Sequence, residues 1–127
     1  MTFSDYVKSH TTAYGLALTD TQVDQLQRFY EQVVTTNEHM NLTGITEPEE
    51  FALKHVVDSL SCYDPKYFTK DAAVIDLGTG AGFPGVPLGI YDPSLRITLF
   101  DSLQKRLRFL DSVVDDLGLE GLQTLHG

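Results

Sequence analysis

The chain has 127 residues, 42% of them hydrophobic and 21% charged, which is an ordinary composition for one modest globular domain with its own core. Acidic residues outnumber basic ones by 18 to 9, and the net charge of -9 argues against non-specific nucleic-acid binding, so any RNA contact needs a local basic patch. The single Cys62 excludes an internal disulfide, and neither a signal peptide nor a membrane helix is predicted, so we expect a cytoplasmic location.

The first part of the chain, residues 1–70, predicts a helical segment. Apolar residues recur at helical spacing over residues 20–38, which predicts one amphipathic helix, and a shorter helix is indicated over residues 3–15. The sequence Thr-Glu-Pro-Glu at 46–49 predicts a capping box with the proline in the first helical turn. This third helix is expected to end before Asp64, because a residue that precedes proline resists helical geometry.

The remaining residues, 71–127, alternate strands with helices. The predicted elements are a strand at 72–78 buried on both faces, a helix at 84–91, a strand at 96–101, an amphipathic helix at 102–118 capped by Gly118, and a third strand from 122. The order β-α-β-α-β is typical of a parallel sheet. The sequence therefore predicts an α/β fold, the first part of a Rossmann-like domain that stops before a fourth strand, with an N-terminal helical cap.

The loop after the first predicted strand is rich in glycine and fits two cofactor patterns. From Gly80 the residues spell G-x-G-x-x-G, which is typical of dinucleotide binding, while from Asp76 they spell D-x-G-x-G-x-G, which is typical of S-adenosylmethionine binding. Glycines in this position let the backbone turn sharply and approach a ligand closely. Both patterns therefore predict a ligand site at this loop.

Two residues favour the second pattern. The Asp76 carboxylate would repel a pyrophosphate held in this loop, whereas it would attract the ammonium or sulfonium of S-adenosylmethionine. Pro84 lacks the N–H that a phosphate would bind. Asp101, at the end of the next strand, is placed to accept both ribose hydroxyls, but both cofactor classes use such an acid. The loop thus predicts S-adenosylmethionine as the cofactor.

Three segments, NLTGITEPEEFALKHVVDSL, VIDLGTGAGFPGVPLGI and DSLQKRLRFLDSVVDDLGLEGL, resemble the bacterial RsmG family, also called glucose-inhibited division protein B. The resemblance covers about residues 41–127. Members of that family methylate the 7-nitrogen of a guanosine in 16S ribosomal RNA with S-adenosylmethionine. The resemblance therefore implies an S-adenosylmethionine-dependent methyltransferase, with the 16S ribosomal RNA or the small ribosomal subunit as its partner.

The resemblance also implies roles for single residues. The implied cofactor-binding residues are Gly78 and Phe83, with Asp76, Gly80, Gly82 and Asp101 shaping the pocket. Asn41, His55 and Asp58 would line the pocket near the methyl group or the guanine. From spacing alone, His55 and Asp58 also fit a hydrogen bond between neighbours on a helix surface. The four histidines show no ligand spacing, so no metal site is predicted.

Lys105, Arg106 and Arg108 form the only basic cluster of the sequence. One interpretation is a contact with RNA phosphates. The other, which spacing favours somewhat, is a solvated helix face on which these cations pair with Asp111 and Asp115.

A methyltransferase sheet of this type normally has seven strands, and its ligand lies between the first and the fourth. We therefore expect this chain to have little activity and to bind S-adenosylmethionine weakly or not at all. The first strand is expected to have an unpaired apolar edge, which favours self-association. The alternatives are a methyltransferase of another substrate, a non-enzymatic remnant that self-associates and, more distantly, a nicotinamide enzyme.

Overall fold

A computed structural model describes all 127 residues. Its elements in chain order are α1 (Phe3–Ala13), α2 (Asp20–Asn37), α3 (Pro48–Phe51), a π-helical segment (Ala52–Val57), α4 (Asp58–Leu60), β1 (Ala73–Leu77), α5 (Gly85–Tyr91), β2 (Arg96–Asp101), α6 (Gln104–Leu117) and β3 (Leu122–His126). The predicted helices and strands are confirmed, and Gly118 ends α6 in the left-handed conformation as predicted. The π-helical segment, which makes residues 48–60 one continuous helix, was not predicted.

The helices of the first part begin at side-chain caps. Thr2 and Thr19 each accept a hydrogen bond from the backbone N–H three residues later, which forms a complete capping box at the start of α1 and of α2. The capping box predicted at 46–49 is wrong. Glu47 is the N-cap of α3, and its carboxylate accepts hydrogen bonds from the N–H groups of Glu49 and Glu50.

The three strands form a parallel sheet in the order β1-β2-β3. Both crossover helices cover the same face of it, since α5 contacts Leu99 and Leu122 through its glycines and α6 reaches Thr124 through Asp111. Parallel strands with crossover helices, preceded by helices, confirm the predicted Rossmann-like α/β architecture. One cluster of 22 buried apolar residues runs through the N-terminal helices and the sheet alike. The helical segment before residue 71 and the strands and helices after it therefore share one core.

The prediction that the first strand is buried on both faces is wrong. Ile75 and Leu77 are 64% and 74% exposed, and Leu125 on the same face of the sheet is 53% exposed. The reason is that α5 and α6 lie on the other face, where Asp76 of β1 is buried. β1 is an edge strand as expected, and self-association through this edge stays a prediction.

No helix of the structure is both long and apolar enough to cross a membrane. The structure also contains no group of three or more His, Cys, Asp or Glu side chains arranged to hold a metal ion.

Candidate cofactor site at the carboxyl ends of the strands

Asp76 lies near the carboxyl end of β1, where it faces the start of α5. Its Oδ2 atom accepts a hydrogen bond of 2.6 Å from the Thr79 hydroxyl and one of 2.9 Å from the Gly85 N–H. The second bond satisfies a free N–H in the first turn of α5, where an anion is also favoured by the helix dipole. Oδ1 accepts no hydrogen bond from the protein, and no buried polar side-chain atom lacks a partner, so Oδ1 reaches solvent.

Asp101 ends β2 and connects three segments of the chain. Its Oδ2 accepts a hydrogen bond of 2.9 Å from the Gly80 N–H, and its Oδ1 accepts one of 2.9 Å from the Leu103 N–H. The Arg106 guanidinium lies 3.6 Å from Oδ1. Asp101 is only 3% exposed, so in this structure it orders the glycine loop and the turn into α6. Its predicted contact with ribose hydroxyls stays a prediction.

The two carboxyls differ in their electrostatics. Burial raises the pKa of Asp76 above its ordinary value of 3.8. The hydrogen bonds from Thr79 and Gly85 act to lower this pKa but do not outweigh burial, and the nearby charge of Asp101 adds to the increase. Burial also acts to raise the pKa of Asp101, but its backbone hydrogen bonds and Arg106 outweigh it and hold this pKa below 3.8. Asp101 is therefore the more firmly ionised of the two.

The glycines of the loop serve two different purposes. Gly78 and Gly80 have φ values of +68° and +59°, and a Cβ atom on Gly78 would meet nothing within 4 Å. The loop therefore faces open space at Gly78 and nearly so at Gly80, where a Cβ would meet only the Gly78 carbonyl oxygen, at 3.9 Å. Gly82 has a φ of +108°, but a Cβ there would lie 2.8 Å from Val86 and 2.9 Å from Leu110. Gly82 is thus a packing glycine beneath the loop.

The backbone N–H groups of the loop are largely used within the protein. Five of them donate hydrogen bonds of 2.9 to 3.1 Å to protein acceptors, namely those of Thr79, Gly80, Gly82, Phe83 and Gly85. A dinucleotide loop binds pyrophosphate through free N–H groups. With these donors engaged and two carboxylates at its base, this loop is unsuited to a phosphate and suited to a cation.

His55 and Phe83, predicted from different segments, lie against each other. Their rings stack with centroids 4.0 Å apart and an interplanar angle of 7°. The His55 Nε2 atom shares a hydrogen bond of 2.8 Å with the Thr43 hydroxyl. Burial lowers the pKa of His55, although Asp58 and Glu50 act in the opposite direction, so the neutral imidazole is favoured.

Asp58 and Asn41 lie apart from this pair. His55 belongs to the π-helical segment, whose wider turn separates side chains three residues apart, and no hydrogen bond joins His55 to Asp58. Asp58 instead lines a surface cavity of about 490 Å³ together with Tyr14 and Lys54. Asn41 is exposed and lines another cavity of about 490 Å³ beside Leu103 and Arg106.

Two residues with contacts at the site, Thr79 and Thr43, were not predicted as site residues, and Gly85 was noted only as part of the glycine-rich pattern. Thr79 and Gly85 hold the Asp76 carboxylate, and Thr43 holds the His55 ring. A Cβ on Gly85 would collide with Leu99 and with Asp76 Oδ2. The glycine-rich pattern was the signal for Gly85, whereas Thr79 had none, because its contact with Asp76 joins two side chains rather than a side chain and a nearby backbone group.

The sequence of this chain is similar to those of one family of proteins. The family model described as rRNA small subunit methyltransferase G, GidB, matches residues 22–127. A ribosomal RNA small subunit methyltransferase G of Leuconostoc mesenteroides is 48% identical over 100% of this chain and 54% of its own length. The protein of the same name from Alkaliphilus metalliredigens is 50% identical over 89% of this chain and 47% of its own length.

The chain spans about half the length of the curated relatives that it matches. The matched part includes the glycine loop, the two carboxylates and the helix that carries His55. The resemblance seen in the sequence is thereby confirmed, and the chain belongs to the rRNA small subunit methyltransferase G family.

Proposed function

We propose that this chain carries the cofactor loop of an S-adenosylmethionine-dependent methyltransferase that acts on a guanosine 7-nitrogen of 16S ribosomal RNA in the cytoplasm. The observation that carries the proposal is the glycine loop, in which five N–H groups are engaged and whose base holds the Asp76 carboxylate. Oδ1 of Asp76 is free to accept a hydrogen bond from an ammonium, and Gly78 leaves room for the ligand beside it.

The cofactor supplies an electrophilic methyl group on a sulfonium. The 7-nitrogen of guanine has a free lone pair, so the protein needs no general base and contributes proximity and orientation. Asp76, Gly78 and Gly80 would hold the amino-acid end of the cofactor, while Asp101 and Gly82 keep the loop in shape. The neutral His55 on Phe83 would form an apolar, flat wall near the base.

Cofactor choice is tested by amide shifts of the isotope-labelled chain in NMR titrations. We expect S-adenosylmethionine to shift the Gly78 and Gly80 amides with an affinity weaker than micromolar, since the chain spans half the length of its relatives. Nicotinamide adenine dinucleotide should leave them unchanged, because the loop has few free donors for its phosphates.

Gly78→Ala is the test variant for this titration, and Gly118→Ala is its matched control. Both glycines have similar positive φ values, +68° and +66°, and a Cβ meets nothing within 4 Å at either. Gly78→Ala should abolish the shifts while Gly118→Ala, at the end of α6, preserves them. Equal shifts with the dinucleotide, or S-adenosylmethionine shifts that persist in Gly78→Ala, would contradict the proposal.

The substrate is tested with a chimera in which this chain replaces the matching half of the Leuconostoc mesenteroides relative. We expect the chimera to transfer labelled methyl groups to small-subunit RNA that lacks its own modification, and not to RNA already modified. The label should be recovered as 7-methylguanine. Equal labelling of both RNAs by a folded chimera would indicate another substrate.

A further inference from the structure

A groove between α2 and α6 is lined mainly by polar and charged side chains. Its volume is about 660 Å³, and the cations in it are Arg28 from α2 with Lys105 and Arg108 from α6. The cavity that contains Asn41, Leu103 and Arg106 adjoins it, since Met40 and Lys105 line both. Together they form one continuous surface, which we name the α2–α6 groove.

The α2–α6 groove concentrates positive charge on a chain that is strongly acidic. Four of the nine basic residues line it, against only two of the 18 acidic ones. One of these acids, Asp116, lies 3.0 Å from Arg28 and also accepts a hydrogen bond from Gln32. The other, Glu31, accepts a hydrogen bond from Gln27.

Lys105 and Arg108 remain without a carboxylate partner. None of the five ion pairs of the structure includes either of them. The predicted pairing with Asp111 and Asp115 does not form, and Asp111 instead accepts a hydrogen bond of 2.6 Å from the Thr124 hydroxyl. Two exposed, uncompensated cations in a groove that also offers threonine and serine hydroxyls are suited to a phosphate chain.

The groove leads toward the cofactor site. Arg106 joins the two, because it lines the groove and lies 3.6 Å from Asp101, which holds the Gly80 N–H. A strand whose phosphates follow α6 toward its N-terminus would thus arrive at the carboxyl ends of β1 and β2. A nucleotide at that end of the strand would be presented to the glycine loop.

We propose that the α2–α6 groove binds the phosphate backbone of the RNA substrate through Lys105 and Arg108. This proposal rests on the proposed function for the identity of the RNA, but the groove itself is defined by its charge and shape. Phosphate contacts position a strand without reading its sequence. The groove therefore sets affinity, and the site at the strand ends selects the base.

The test is an anisotropy titration of the full chain with a fluorescein-labelled RNA hairpin that has a guanosine in its loop, at several salt concentrations and without cofactor. Lys105→Gln with Arg108→Gln should weaken binding several-fold and reduce the slope of log affinity against log salt by about 1 per removed contact. Glu31→Gln should tighten binding, because it removes a negative charge from the groove. Circular dichroism of each variant serves as the check that it remains folded.

The matched control is Lys8→Gln with Lys70→Gln, which removes the same charge from exposed positions outside the groove. We expect this control to retain most of the affinity and the wild-type salt slope. Equal losses in both double variants, or no measurable binding by the wild type, would overturn the proposal. Displacement of the hairpin by polyglutamate as effectively as by unlabelled RNA would also overturn it, since the groove would then accept any polyanion.

The result is separable from the proposed function. Binding in the groove together with loop amide shifts from the dinucleotide and none from S-adenosylmethionine would refute the cofactor assignment and support the groove. If S-adenosylmethionine shifts the loop amides and the double variant of Lys105 and Arg108 binds RNA as the wild type does, the cofactor assignment is supported and the groove proposal is refuted.

Discussion

Gly82→Ala is expected to lower the free energy of unfolding by about 2 to 5 kcal/mol. A side chain at this positive φ costs about 1 to 2 kcal/mol. Forcing the new methyl group against Val86 and Leu110, which lie 2.8 and 2.9 Å from its position, adds about 1 to 3 kcal/mol. The loss is large beside the about 5 to 15 kcal/mol of stability that is usual for a domain.

Equilibrium unfolding in urea measures this effect, and Gly78→Ala is the control. Gly78 also has a positive φ, but a Cβ there faces open space, so its substitution should cost only the strain of about 1 to 2 kcal/mol. Losses of the same size in the two variants would show that Gly82 is not a packing residue.

Asp76→Ala is expected to lower the free energy of unfolding by about 2 to 6 kcal/mol and to abolish the amide shifts from S-adenosylmethionine. The substitution leaves the Thr79 hydroxyl and the Gly85 N–H without an acceptor, and each unsatisfied buried group costs about 1 to 3 kcal/mol. Asp76→Asn keeps an oxygen for these donors but loses the charge. It should therefore stay close to wild type in unfolding experiments while losing the amide shifts from S-adenosylmethionine.

The pH dependence of stability distinguishes Asp76 from Asp101. Because the pKa of Asp76 is raised in the folded state, its contribution relative to Asp76→Asn is fully present below about pH 3.8 and is lost as pH rises through the raised pKa. The pKa of Asp101 is lowered, so its contribution relative to Asp101→Asn is present above about pH 3.8 and is lost as pH falls through the lowered pKa. In urea unfolding from below pH 3.8 to neutral pH, the difference in free energy of unfolding between wild type and each variant should change with pH in opposite directions, and a change in the same direction would contradict the assigned environments.

Local sequence patterns were sufficient for most of the secondary structure. α2 and β2 follow from residue periodicity, and Gly118 follows from the need for a left-handed residue at a helix end. Local patterns do not show which face of a strand other elements cover, and this is why the exposure of Ile75 and Leu77 was missed. Nor does spacing reveal a π-helical turn, which separates His55 from Asp58.

The candidate site was predictable where one short segment supplies it. Asp76 near the end of β1 is followed closely by Gly78 and Gly80 in the loop, and the structure brings this segment against Asp101. The environment of Lys105 and Arg108 depended on tertiary partners, because Thr124 bonds to Asp111 from another element. Local spacing does not show that a residue distant in the sequence, here Thr124, will bind the Asp111 carboxylate.

The double purpose of the loop glycines has an evolutionary consequence. A descendant that no longer needs the cofactor can replace Gly78 at the cost of backbone strain alone, since a side chain there faces open space, whereas at Gly82 or Gly85 a methyl group also collides with the core. Part of the D-x-G-x-G-x-G pattern is thus maintained by selection for folding alone. In this family, the residue at the position of Gly78 is therefore more informative about retained methyltransferase activity than the presence of the glycine-rich pattern as a whole.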